Sequence, residues 1–181
     1  MNTLPTLLLA RFRRDRVQII VWLALFALLE VVGHAAVTET YGDEAERASV
    51  IKLVIMSPAI LMLRGTPQGT APDAFQFFLL FGFLGLMIGL MMTFLAVRHT
   101  RGDEEAGRAE LVGSTPAGRI APLLATALEG VILSVVVGAI MGAVAIAYGA
   151  DASGALLYGA AMSAVGIAYL GVGLACAQLM R

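Results

Sequence analysis

Residues 120–149 read IAPLLATALEGVILSVVVGAIMGAVAIAYG, a run in which Glu129 is the only charged side chain. A helix rises about 1.5 Å per residue, so about 20 apolar residues cross the roughly 30 Å hydrocarbon core of a bilayer. The run is therefore long enough to span a membrane. Because Pro122 falls in its first turn, we expect the membrane-embedded part to begin near Leu123.

Three further apolar blocks lie outside this run, at 17–37, 75–97 and 155–177. Apolar residues make up 59% of the chain and charged residues only 14%, which is far more apolar than a soluble domain. The sequence predicts an all-α integral membrane protein with four transmembrane helices. The first block alone also resembles a signal peptide, but the three later blocks favour a retained span.

The basic residues predict the orientation, because cytoplasmic loops are enriched in Lys and Arg. Nine arginines fall in the leader 1–16, the loop 98–119 and the last residue. Only three basic residues fall in the segment 38–74, and none near Asp151. We therefore expect both termini and the loop 98–119 in the cytoplasm.

The segment 38–74 is then extracytoplasmic. Its apolar stretch 50–63 is interrupted by Ser57 and Pro58, so neither half is long enough to span the membrane. We expect one or two short helices at the outer interface.

Three ionisable residues lie within the predicted spans. Glu30 and His34 are one helical turn apart, and Glu129 lies about 15 Å beyond Arg119, which predicts a position near mid-membrane. Ionisable side chains at such depth are costly and indicate function by default. A cation, proton or pathway site is one interpretation; a self-satisfied or hydrogen-bonded structural role is the other.

Glycines recur at the spacing that lets membrane helices pack closely. Gly85 with Gly89, and Gly138 with Gly142, give the small-xxx-small pattern. We expect close helix contacts at these positions.

The loop 98–119 has the local pattern of a short charged helix. Thr100 and Asp103 form a possible capping box, and Glu104 with Arg108 forms an i, i+4 pair. A helix carrying both signs of charge is typical of a docking surface. The alternative is a solvated connection whose charges only set the topology.

The same loop resembles the signature loop of the ABC exporter permeases called exporters of polyketide antibiotics. The similar residues are Arg98-His99-Thr100-Arg101, Glu104 to Leu111, Pro116 and Gly118-Arg119. The resemblance extends back to Arg13-Arg14-Asp15-Arg16-Val17, Trp22, Ser57-Pro58-Ala59 and Gly65-Thr66-Pro67, and forward through 154–178. It covers the N-terminal part of such permeases, so we expect the remaining spans on another polypeptide or a second permease chain, unless the chain is a fragment.

The resemblance implies that the loop is a coupling helix docking on a separate cytoplasmic ABC ATPase subunit. The implied contact residues are Asp103, Glu104, Glu105, Arg108, Glu110 and Leu111. The leader 1–16 would be an amphipathic interfacial elbow helix. The resemblance also implies efflux of small hydrophobic compounds, antibiotics among them, across a bacterial plasma membrane, with ATP and magnesium bound by the partner.

Several function classes are excluded by the sequence. A phosphate-binding loop requires a lysine, and the only one, Lys52, stands in IKLV, so we expect no bound cofactor and no enzymatic activity. Neither HExxH nor GxSxG occurs, and the single Cys176 forms no disulfide within the chain. A net charge of -1 argues against nucleic-acid binding.

Two alternatives come from other classes. One is a proton-coupled secondary transporter or channel subunit using Glu30, His34 or Glu129. The other is a membrane scaffold whose loop recruits a partner.

Overall fold

The computed structural model describes residues 3–105 and 120–179, and these residues form helices without any β-strand. We number the helices α1 (Thr3–Thr40), α2 (Glu44–Ile55), α3 (Pro58–Arg64), α4 (Pro72–Glu105), α5 (Ile120–Ala147) and α6 (Ala152–Leu179). Four of them, α1, α4, α5 and α6, are long and apolar enough to cross a membrane. The predicted all-α fold with four candidate spans is confirmed.

α1 is one continuous helix of 38 residues, so the expected elbow segment 1–16 and the span 17–37 are not separate helices here. Residues 7–17 contain neither glycine nor proline that would break the helix. Pro5 lies in the first turn, where a missing N–H leaves no helical hydrogen bond unmade. The charged leader and the apolar span therefore share one axis.

α4 also extends further than its apolar block, past Val97 to Glu105. The capping box expected at Thr100 is wrong, because Thr100 lies inside this helix and its hydroxyl donates to the Ala96 carbonyl at 2.6 Å. Asp103, Glu104 and Glu105 belong to the last turn of α4. The other predicted docking residues lie outside the described residues: Arg108, Glu110 and Leu111.

The segment 38–74 contains the two short helices α2 and α3, and Pro58 begins α3. The buried Arg47 guanidinium holds this segment, because it donates to the carbonyls of Tyr41, Gly42 and Thr70. α2 is thereby tied to the chain just after α1 and just before α4.

α5 and α6 form a tight antiparallel pair joined by a short turn. Gly149 in this turn has a φ of 91°, a left-handed conformation that suits glycine. The Asp151 carboxylate accepts hydrogen bonds from the Ser153 hydroxyl and from the amides of Ser153 and Gly154, and these bonds lower the pKa of Asp151. The predicted close packing is confirmed at Gly142, where an added Cβ would lie 3.0 Å from the Ala155 carbonyl oxygen.

The helix bundle has a loop end and a turn end. The loop end is where α1 begins, α4 ends and α5 begins. The turn end is where α1 ends, α4 begins and the turn 148–151 joins α5 to α6. Between them lies an apolar core that includes the fully buried Phe26, Leu84, Ile88, Met92 and Met141.

Candidate functional site

Three buried ionisable side chains meet at the loop end, one from each of three helices. Asp15 on α1, His99 on α4 and Glu129 on α5 are respectively 3%, 3% and 0% exposed. With the neighbouring Arg11, Arg14 and Arg98 we call them the loop-end cluster. Ionisable groups buried in a membrane bundle are costly, so such a cluster is a candidate for function.

Asp15 is the centre of the cluster. One carboxylate oxygen, Oδ1, lies 2.6 Å from Arg98 Nη2 and 3.4 Å from Arg14 Nε. The other, Oδ2, lies 2.6 Å from His99 Nε2. Because Arg98 also bonds the side chain of Gln18, α1 and the end of α4 are joined at two successive turns of α1.

The contact made by His99 Nδ1 determines which ring nitrogen carries the proton. His99 Nδ1 lies 3.0 Å from Arg14 Nη2, and a guanidinium can only donate, so Nδ1 accepts. The ring proton is therefore assigned to Nε2. This nitrogen faces Asp15 Oδ2 at 2.6 Å and Glu129 Oε2 at 3.5 Å.

The spacing of Asp15, His99 and Glu129 would also suit a metal ion, since one ligand atom from each lies within 4.8 Å of the others. The surroundings do not fit one. A histidine that binds metal through Nε2 carries its other proton on Nδ1 and donates it to an acceptor, whereas here Nδ1 faces the Arg14 donor. The guanidinium groups around the cluster would also repel a cation.

Glu129 lies beside Asp15 and His99, so it belongs to the loop end of the bundle. Its expected position near mid-membrane stays a prediction. The second turn of α5 lies against the leader of α1, where Arg11 Nη1 donates to Thr126.

Glu30 and His34 lie on one face of α1 near the turn end, as predicted. Both are buried, with Glu30 Oε1 3.4 Å from His34 Nε2. The Tyr158 hydroxyl of α6 donates to Glu30 Oε2 at 3.0 Å, and the His34 ring stacks on Tyr148 at 4.9 Å between centroids. We call these four residues the turn-end cluster. It links α1 to α6 and to the turn after α5.

The two clusters are far apart. Asp15 and Glu30 are separated by 15 positions on one continuous helix, which is about 22 Å. The intervening level contains core side chains such as Trp22, Phe26 and Leu133. Among the described residues, no chain of ionisable groups connects the clusters.

Sequence reasoning did not identify Asp15 or His99 as site residues. One signal was available for Asp15, because it is the only acid within the arginines of the leader. His99 has no such local signal. Its role depends on the packing of three helices.

We expect Tyr158→Phe to destabilise the bundle by about 1–2 kcal/mol, because it removes the donor to the buried Glu30 carboxylate. Thermal unfolding in detergent would measure the change. Tyr169→Phe is the control, since Tyr169 lies on the same helix and is 44% exposed. Equal effects of the two substitutions would contradict the importance of the Tyr158 hydrogen bond.

Comparison with known proteins places the chain in a family, although no protein-family model matches it. Over 168 residues, 92% of its length, the chain is 33% identical to the multidrug efflux system permease protein of Mycobacterium tuberculosis. The match spans 30% of the length of that relative. Together with the four apolar helices, it identifies a multi-pass membrane protein. The chain belongs to the family of ABC-type permeases.

Proposed function

We propose that the chain is a membrane-spanning part of an ATP-driven exporter that moves hydrophobic or amphiphilic compounds, antibiotics among them, out of a bacterial cell. The observation that carries the proposal is its similarity to a multidrug efflux permease over 92% of its length. The chain itself would perform no chemistry. ATP and magnesium would be bound by a separate ATPase subunit, and the remaining permease spans would complete the pathway.

The loop between α4 and α5 is the proposed ATPase contact. Its docking residues are Asp103, Glu104, Glu105, Arg108, Glu110 and Leu111. The continuity of α4 supports this role, because a push on its last turn would move the whole helix. The loop-end cluster lies at the base of the loop. Asp15 of α1 binds Arg98 and His99 of α4, and Arg11 of α1 donates to Thr126 of α5.

The proposed orientation puts the loop end and both termini in the cytoplasm, and α2 and α3 outside the plasma membrane. The arginine distribution supports it. The exposed apolar side chains Leu53, Met56, Met62 and Leu63 on and between α2 and α3 suit an interfacial position in the outer leaflet.

Capture of the ATPase tests the proposal. The permease is co-expressed with its neighbouring ATPase and purified by affinity in mild detergent, with Glu105→Arg and Glu110→Arg as loop variants. We expect the wild type to capture the ATPase and both variants to lose most of it, because reversed charge repels at a docking surface. Glu46→Arg is the control, since Glu46 is exposed on α2, on the proposed outer side. Full capture by the loop variants would contradict the docking role.

The buried acids favour one second candidate, a proton-coupled transporter using Glu30, His34 or Glu129. The apolar core between the two clusters argues against a proton relay through the described residues. Transport that stops when the proton gradient is collapsed, with ATP still present, would favour this candidate.

A further inference from the structure

Glu129 is fully buried, yet neither of its carboxylate oxygens accepts a hydrogen bond from the described residues. An ionised carboxylate in that position would lose its hydration without compensating donors, which costs several kcal/mol. A neutral carboxylic acid avoids most of this cost. The burial of Glu129 and the lack of hydrogen-bond donors therefore favour the neutral, protonated form of its side chain.

Among residues 3–105 and 120–179, the charged and titratable groups that face Glu129 come from two neighbouring helices. α1 contributes Arg11, Arg14 and Asp15, and α4 contributes Arg98 and His99. α6 packs its Leu170 against Gly130 and carries no Asp, Glu, Lys, Arg or His. The arginine side chains are directed to other acceptors: Arg11 to Thr126, Arg14 to Asp15 and His99, and Arg98 to Asp15 and Gln18.

Asp15 also has a carboxylate oxygen, Oδ2, without a hydrogen bond. One of its carboxylate oxygens lies within 4.8 Å of one from Glu129. Two carboxylates that share a site tend to hold one proton between them, since both cannot ionise without repulsion. A proton on Glu129 would make its carboxyl a hydrogen-bond donor close to the Asp15 carboxylate.

We propose that Glu129 is a proton-binding site at the base of the α4–α5 loop. It holds a proton while α1, α4 and α5 are closed around it, and it releases that proton to water when α5 moves away. By linkage, raising the pH favours the separated arrangement and lowering it favours the closed one. The inference concerns this chain alone and does not depend on the proposed transport function.

Infrared spectroscopy of the full chain in lipid nanodiscs tests the protonation directly. We expect the carbonyl band of a protonated carboxylic acid at neutral pH, and we expect Glu129→Gln to remove it. Glu30→Gln is the matched control, because Glu30 is an equally buried acid at the other end of the bundle. A spectrum in which Glu129→Gln removes no such band would overturn the proposal.

Thermal unfolding as a function of pH gives a second test. Glutamine is an uncharged isostere of the protonated acid. Glu129→Gln should therefore unfold within about 2 °C of the wild type at about pH 4, where the acid is protonated in the folded and the unfolded chain alike, and at a higher temperature than the wild type at neutral pH, where unfolding lets the acid ionise. The wild-type Tm should fall relative to that of Glu129→Gln as the pH rises from about 4 to neutral. A variant that unfolds well below the wild type at every pH, with an unchanged pH slope, would mean that Glu129 is ionised and would refute the inference.

Discussion

Asp15→Asn is expected to loosen the loop end and to lower the Tm by about 6–12 °C. The substitution removes the charge that Arg14, Arg98 and His99 share, and leaves them facing one another. Breaking a buried ion pair costs about 3–5 kcal/mol. We take about 3 kcal/mol, because the Arg14 and Arg98 side chains are 36% and 40% exposed and water compensates part of the loss.

Thermal unfolding in one detergent, with Asp43→Asn as control, measures this effect. Asp43 precedes α2, is exposed and makes no side-chain cap hydrogen bond, so its substitution should leave the Tm unchanged. Adding Arg98→Gln to Asp15→Asn should recover part of the loss, because it removes one of the positive charges that Asp15 no longer neutralises. An Asp15→Asn protein as stable as the control variant would show that the cluster does not hold α1 to α4.

The four spans could be predicted because twenty or more apolar residues in succession have few other stable structures. The start of α1 and the end of α4 could not be predicted in this way. The sequence marks where charge begins, at Arg16 and Arg98, but a helix continues through charged residues until a breaker or a competing contact ends it. Hydropathy therefore located the expected membrane boundary rather than the helix boundary.

The part of the site that is formed by residues close together in the sequence could be predicted. The i, i+4 spacing placed Glu30 and His34 on one face, and the structure keeps them 3.4 Å apart. Their partner Tyr158 lies 128 positions away from Glu30, and no periodicity indicates that pairing. Asp15 and His99 stand beside arginines in the segments that flank the apolar blocks, and charges in such segments are normally explained by topology alone.

A second large effect is expected from Gly138→Ala in α5. The added Cβ would collide with the Gly159 carbonyl oxygen and with the Ser163 hydroxyl. The first of these is backbone and cannot turn aside, so α5 and α6 must separate along their contact. Overpacking costs about 1–3 kcal/mol or more, and we expect the upper end because the colliding atom belongs to a helix backbone. The Tm should fall by about 6–12 °C.

Gly171→Ala distinguishes this steric effect from a general intolerance of glycine substitution. Gly171 lies on α6, and an added Cβ there would meet no atom within 4 Å. Alanine is favoured over glycine in a helix by about 0.5–1 kcal/mol, so this control should be neutral or slightly stabilising. If the two alanine variants unfold at the same temperature, the close contact of α5 and α6 does not limit stability. If only Gly138→Ala lowers the Tm, direct backbone contact sets the spacing of α5 and α6. This is expected in a membrane, because apolar side chains gain little free energy by leaving lipid.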